Sequence, residues 1–202
     1  MNNQIELPFI KNRKAYSPKG VINLIKEAER DNNGKLNEIF RNKHNYKQLV
    51  EMWHASFLAL SIYKWLGKKF FLFPSDAPDI YFLEEDTNNA FQLEIMELYN
   101  FNNKEFDNDY KKLVSNVWEK KGIIDLPKCH LLLVSRLSMK LFNLTKFIDE
   151  FSKFSWKFER IWFSIYSEEY NEWKFFEIFP KNHNNDSNYI FYNTRKDIKF
   201  LY

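Results

Sequence analysis

The chain has little of what usually holds a small secreted protein together. It contains one cysteine, four glycines and six prolines among 202 residues. A single cysteine, Cys129, cannot form an internal disulfide, and its apolar neighbours predict a buried thiol that is not a nucleophile. The scarcity of glycine and proline excludes a fibrous or disordered chain. What remains is an ordinary globular composition, with enough residues for one domain and its own core.

Long apolar runs are also absent. No stretch approaches the roughly 18 consecutive apolar residues of a membrane span, and residues 1–6 lack the basic and then apolar order of a secretory signal. We therefore expect a cytoplasmic protein with no membrane partner. The formal charge of +3 neither indicates nor excludes nucleic-acid binding, because a basic face can be hidden in a balanced total.

Several familiar catalytic motifs are missing. The sequence has no glycine-rich phosphate loop, no Gly-x-Ser-x-Gly elbow and no cluster of cysteine and histidine. His54 follows Glu51 by three residues on a predicted helix, and we interpret it as a packed histidine. Cys129 and His130 are neighbours on a predicted strand and should point to opposite faces, which argues against a shared zinc site.

The order of hydrophobic periodicities predicts an α/β fold, with a central mixed sheet flanked by helices in a single domain over residues 1–202. Residues 1–44 should be a helical N-terminal extension, with one helix from Ser17-Pro18 to about Arg30 and a short one over 35–43. Residues 45–202 should be the core. Its predicted helices cover 45–67, 107–122 and 141–154, and its predicted strands cover 70–73, 80–83, 90–98, 130–134, 158–166, 173–179 and 189–192. Four tryptophans should be core residues: Trp53, Trp65, Trp118 and Trp162.

The predicted hairpin over 80–98 carries two acidic residues of special interest. If its turn is centred between Asp86 and Thr87, residues whose numbers sum to 173 face each other, and Asp79 lies opposite Glu94. Facing carboxylates repel unless a cation, a basic residue or a shared proton compensates them. Mg²⁺ suits such a pair of oxygen ligands. The alternative is that Asp79 only starts a strand and Glu94 is a solvated strand residue.

Strand alternation divides the second hairpin strand into two faces. Gln92, Glu94 and Met96 should share one face, and Glu97 should point to the other. A β-bulge would make Glu97 a competing ligand.

The order of a helix with Glu51, Pro78-Asp79 before a hairpin, and Glu94 in an apolar strand resembles the PD-(D/E)xK nuclease-like superfamily, which has the restriction-endonuclease-like fold. The resemblance covers residues 45–134. It implies that Asp79 and Glu94, with Glu51 as the helix acid, bind Mg²⁺ or Mn²⁺ that activates water for phosphodiester hydrolysis. Its motifs are short, so the resemblance has low specificity.

Met96 departs from the family pattern, because it occupies the lysine position. The family lysine is thought to orient water or stabilise charge on the phosphate, and a thioether does neither. Lys121 is the first candidate for a displaced lysine, because it extends the apolar stripe of a predicted helix toward the sheet; Lys111 and Lys112 are alternatives. All three lysines could equally be solvated helix residues. Gln92 is a further candidate, for positioning water beside Glu94.

Two functions follow from the resemblance. The first is a metal-dependent endonuclease or exonuclease acting on DNA, in restriction, repair or defence. The second is a catalytically inactive domain of the same fold that binds nucleic acid or a protein partner, which Met96 favours. An unrelated α/β interaction protein is a third reading. DNA is the expected partner, and a protein partner or a homodimer stays open.

Overall fold

The computed structural model describes residues 14–35, 39, 43–87, 89–98, 109–135, 142–167, 169–180 and 189–202. Along these ranges two helices precede three strands, and further helices and strands follow in an α/β arrangement. The helices are α1 (Pro18–Asp31), α2 (Lys43–Leu66), α3 (Tyr110–Lys121) and α4 (Leu144–Phe151), with a 3₁₀ turn at Ile198–Phe200. The strands are β1 (Phe70–Pro74), β2 (Ile80–Glu84), β3 (Ala90–Leu98), β4 (Cys129–Ser135), β5 (Arg160–Ser167), β6 (Glu172–Phe179) and β7 (Tyr189–Asn193). The predicted α/β class is confirmed.

The chain divides into two compact units. One is formed by Met1–Leu93 with Arg195–Tyr202, and the other by Glu94–Thr194. The division falls within β3, so that one strand supplies residues to both units. The organisation as a single domain over 1–202 stays a prediction.

In the first unit, α1 begins as its sequence predicts. The side chain of Ser17 accepts a hydrogen bond of 3.2 Å from the Gly20 amide, and Pro18 occupies the first turn. Ile25 of α1 is packed with Val50 of α2 in a small hydrophobic core. Most of the short helix predicted over 35–43 lies outside the described residues.

The strands β1, β2 and β3 of this unit pair in antiparallel order. Ile80 pairs with Leu93, and the register continues without a shift to Leu83 and Ala90. Every one of these pairs sums to 173, so the predicted register of the hairpin is confirmed. A backbone hydrogen bond of 2.8 Å from the Glu84 amide to the Asn89 carbonyl extends the same register to the turn, and the number of turn residues fixes which strand positions face each other.

In the second unit, β4 and β5 are parallel, whereas β5, β6 and β7 are antiparallel. The mixed character of the sheet is therefore as predicted. All seven residues of β4 are buried, including Cys129 at 1% exposure, which agrees with the expected core thiol. The apolar faces of α3 and α4 are buried in the same core as β4 and β5.

Two predicted details are wrong. The helix predicted over 141–154 is shorter, because Asn143 caps its start by accepting a hydrogen bond of 3.0 Å from the Lys146 amide, and the helix ends at Phe151. Trp65 is not a core residue: it lies at the end of α2 with 48% of its surface exposed.

Within the described ranges, none of the helices combines the length and apolarity needed to cross a bilayer.

His130 makes the stability of the second unit sensitive to acid. Burial and the nearby Arg160 charge lower the pKa of His130 to about 3. As the pH falls below about 6.5, the unfolded chain binds a proton that the folded chain does not bind, so stability is lost between about pH 6.5 and pH 3. From pH 7 to pH 5, we expect His130 to contribute a loss of about 2 kcal/mol in the free energy of unfolding.

Urea unfolding at the two pH values measures this loss. The variant His130→Leu should lose about 2 kcal/mol less than the wild type over the same interval. Equal losses in the two proteins would show that His130 does not cause the acid sensitivity.

Candidate functional site

In the first unit, Asp79 lies immediately before β2 and is only 6% exposed. Lys47 and Glu51 lie one turn apart on α2. The Nζ atom of Lys47 is 3.8 Å from Oδ1 of Asp79 and 3.4 Å from Oε1 of Glu51. One ammonium group thus faces two carboxylates, and these three residues form the acidic cluster of the first unit.

The contacts of Lys47 with Glu51 and Asp79 were not predicted from the sequence. Its spacing of four residues from Glu51 is a signal for an ion pair along a helix. The contact with Asp79 could not be read from that spacing, because it depends on how α2 packs within the first unit. Glu51 and Asp79 thus lie near the same lysine ammonium group, and their predicted role as metal ligands stays a prediction.

In the second unit, Glu94 lies in β3 with a side chain that is 8% exposed. Oε2 of Glu94 accepts a hydrogen bond from the ammonium group of Lys121, the last residue of α3. The Lys121 side chain is itself 18% exposed. Lys121 therefore provides the positive charge that a largely buried carboxylate requires. Lys111 and Lys112, the alternatives considered from the sequence, are both exposed on α3.

The core of the second unit explains why position 96 is not a lysine. Met96 is 9% exposed and belongs to the hydrophobic core that contains Val114 and Val117 of α3. A lysine at position 96 would bring an ammonium group into this apolar core at a high desolvation cost. Lys121, at the end of α3, instead places its ammonium group beside Glu94 of the same strand.

Gln92 is buried at 8% exposure, and its backbone position pairs with Tyr81. Alternation along β3 assigns Gln92 and Glu94 to the same face. The role suggested for Gln92, positioning water, stays a prediction. The described pairs of β3 with β2 contain no bulge, and Glu97 as a competing ligand stays an open alternative.

A third acidic residue of the hairpin, Glu84, was not singled out from the sequence and has a structural role. Its carboxylate accepts a hydrogen bond of 2.7 Å from Thr87 Oγ1 and lies 3.2 Å from Lys68 Nζ. Burial alone would raise the pKa of Glu84, but the hydrogen bonds from Thr87 and Lys68 outweigh it and lower the pKa. These contacts fix the hairpin turn that sets the register of β2 and β3.

The donor set of the candidate site suits a hard cation. Asp79 and Glu51 in the first unit, and Glu94 in the second, each offer carboxylate oxygens, which Mg²⁺ and Mn²⁺ prefer to sulfur or imidazole ligands. Across the described part of the chain, no three side chains of histidine, cysteine, aspartate or glutamate are grouped as a metal site. Carboxylate chemistry therefore suits a hard cation in each unit, and the role of these residues as metal ligands stays a prediction.

No protein-family model matches the chain, and no curated protein or solved structure matches it either. The resemblance to the PD-(D/E)xK nuclease-like superfamily therefore depends on the residues and their arrangement alone.

Removing Lys121 should destabilise the protein through Glu94. In Lys121→Met the Glu94 carboxylate keeps its burial but loses its cation, and we expect a loss of about 1–3 kcal/mol in the free energy of unfolding at pH 7. Adding Glu94→Gln to the same chain should restore most of this loss, because the buried charge is then gone. Urea denaturation of the wild type, both single variants and the double variant measures the coupling. Additive effects would contradict an energetically important pair.

Proposed function

We propose that the protein is a metal-dependent nuclease of the PD-(D/E)xK type that hydrolyses phosphodiester bonds in DNA. In this proposal Asp79 and Glu94 are ligands for Mg²⁺ or Mn²⁺, with Glu51 assisting. Restriction, repair or defence against foreign DNA would be suitable settings. The observation that carries the proposal is the contact of Lys121 with Glu94, because it supplies a lysine beside the strand acid although Met96 occupies the family position.

The hairpin gives the proposal further support. The four described pairs of β2 with β3 follow the register from which Asp79 was predicted to face Glu94. Both carboxylates are largely buried, and each has a lysine ammonium within ion-pair distance. A lysine thus supplies positive charge beside each carboxylate, and a divalent cation can add to that charge.

A bound divalent ion would supply an activated water and neutralise charge on the scissile phosphate. Lys121 can donate a hydrogen bond to a phosphate oxygen and stabilise the negative charge that develops during hydrolysis. An ammonium group carries three donors, so Lys121 can keep its hydrogen bond to Glu94 while it donates to a substrate oxygen. Gln92 can orient the attacking water by a hydrogen bond from its side-chain amide.

A second candidate is a catalytically inactive domain that binds nucleic acid or a protein. The observation that favours it is the pair of lysine contacts, because Lys47 and Lys121 already neutralise part of the acidic charge without a metal. Such a domain would retain DNA or a partner protein and show no affinity for Mg²⁺ or Mn²⁺ in calorimetry.

Cleavage of plasmid DNA tests the nuclease proposal. Purified protein with Mg²⁺ or Mn²⁺ should cleave the plasmid, and EDTA should stop the reaction. Asp79→Asn and Glu94→Gln should reduce the rate to background because each removes a ligand charge. Lys121→Met should lower the rate on the order of 10²-fold, the size expected for loss of one donor to a developing negative charge.

Glu177→Gln is the matched control, because Glu177 is a partly buried strand acid paired with Arg160 at 2.9 Å. This variant should cleave as the wild type does. Equal cleavage by the wild type and Asp79→Asn, or no cleavage by any protein with either metal, would refute the nuclease proposal. The second outcome together with retained DNA binding would favour the inactive domain.

A further inference from the structure

We propose that Lys47 is an exchangeable cation: its ammonium group lies beside the carboxylates of Glu51 and Asp79, and it contacts a substrate phosphate once a divalent ion is bound. This inference rests on the proposed function and deepens it, because it assigns a phosphate-contacting residue that the family motif does not contain. The inference predicts a polyanionic substrate. The backbone of this substrate passes over the start of α2, where Lys47 lies.

The exposure of the three side chains gives the first argument. The Lys47 side chain is 65% exposed, whereas those of Glu51 and Asp79 are 13% and 8% exposed. The ammonium group thus lies on the solvent side of the two carboxylates. A substrate approaching these carboxylates from solvent would meet Lys47 first.

The distances give the second argument. Lys47 Nζ is 3.4 Å from Glu51 and 3.8 Å from Asp79, longer than the 2.7–2.9 Å that is usual for a hydrogen bond between an ammonium group and a carboxylate. Because the Lys47 ammonium group is exposed, solvent screens its attraction to the two carboxylates, and separating it from them costs less than separating a shielded pair. Lys121 differs, because it is hydrogen bonded to Glu94 and mostly shielded from solvent.

Charge gives the third argument. A divalent ion at Asp79 would neutralise the carboxylates and repel the nearby ammonium group. Lys47 would then turn toward solvent, where a phosphate can accept its hydrogen bonds. The same residue therefore opposes metal binding in the absence of substrate and strengthens substrate binding in the presence of metal.

Lys47→Met tests these opposite effects. Titration calorimetry with Mn²⁺ should show binding that is about three- to fivefold tighter than in the wild type, because a competing cation is lost. Anisotropy of a labelled phosphorothioate DNA duplex, which resists hydrolysis, should show weaker binding with Mn²⁺ present. The dependence of log affinity on log salt should become shallower by about one with Mn²⁺, and should change much less in EDTA.

Two further variants serve as controls. Lys47→Arg keeps the charge and should stay close to the wild type in Mn²⁺ affinity. Lys153→Met removes a lysine that is 61% exposed and paired with Glu150 on the surface, so both its Mn²⁺ affinity and its metal-dependent salt slope should be unchanged.

Unchanged Mn²⁺ affinity in Lys47→Met, or an equal change of its salt slope with Mn²⁺ and in EDTA, would overturn the inference. If the wild type binds Mn²⁺ and cleaves DNA while Lys47→Met behaves identically, only the role of Lys47 fails. If the wild type binds no Mn²⁺, the proposed function fails together with this inference.

Discussion

The compensation of a carboxylate buried in a β-strand is the constraint on which the candidate site depends. Glu94 lies in β3 beside an apolar core, and Lys121 reaches it from the end of α3. Because an ionised carboxylate is costly to bury without a partner, the strand and the helix are linked by charge as well as by apolar packing.

In the acidic cluster of the first unit, a lysine also compensates carboxylates, but the distances between the charged atoms are longer. Lys47 compensates Asp79 and Glu51 from solvent, whereas Lys121 compensates Glu94 from a mostly buried position. The two lysines should therefore differ in function. A shielded, hydrogen-bonded lysine is suited to a fixed role beside the reacting phosphate, and an exposed one is suited to exchange between protein and substrate.

Local signals in the sequence predicted much of the fold. The Ser17-Pro18 start, the apolar stripe of α3 and the residues of the hairpin turn act over a few positions, so the first helix, α3 and the β2–β3 register could be inferred. The contact of Lys47 with Asp79 and the exposure of Trp65 depend on tertiary packing, which periodicity does not encode. The Lys121 side chain was expected to project toward the sheet, but its partner Glu94 could be identified only from the structure.

The central proposal is that Asp79 and Glu94 are ligands for a divalent cation, and anomalous scattering from crystals soaked in manganese tests it most directly. The account predicts a manganese peak within coordination distance, about 2.0–2.3 Å, of a carboxylate oxygen from each residue. Crystals in which both carboxylates keep their lysine contacts and no manganese peak lies beside either of them would contradict it.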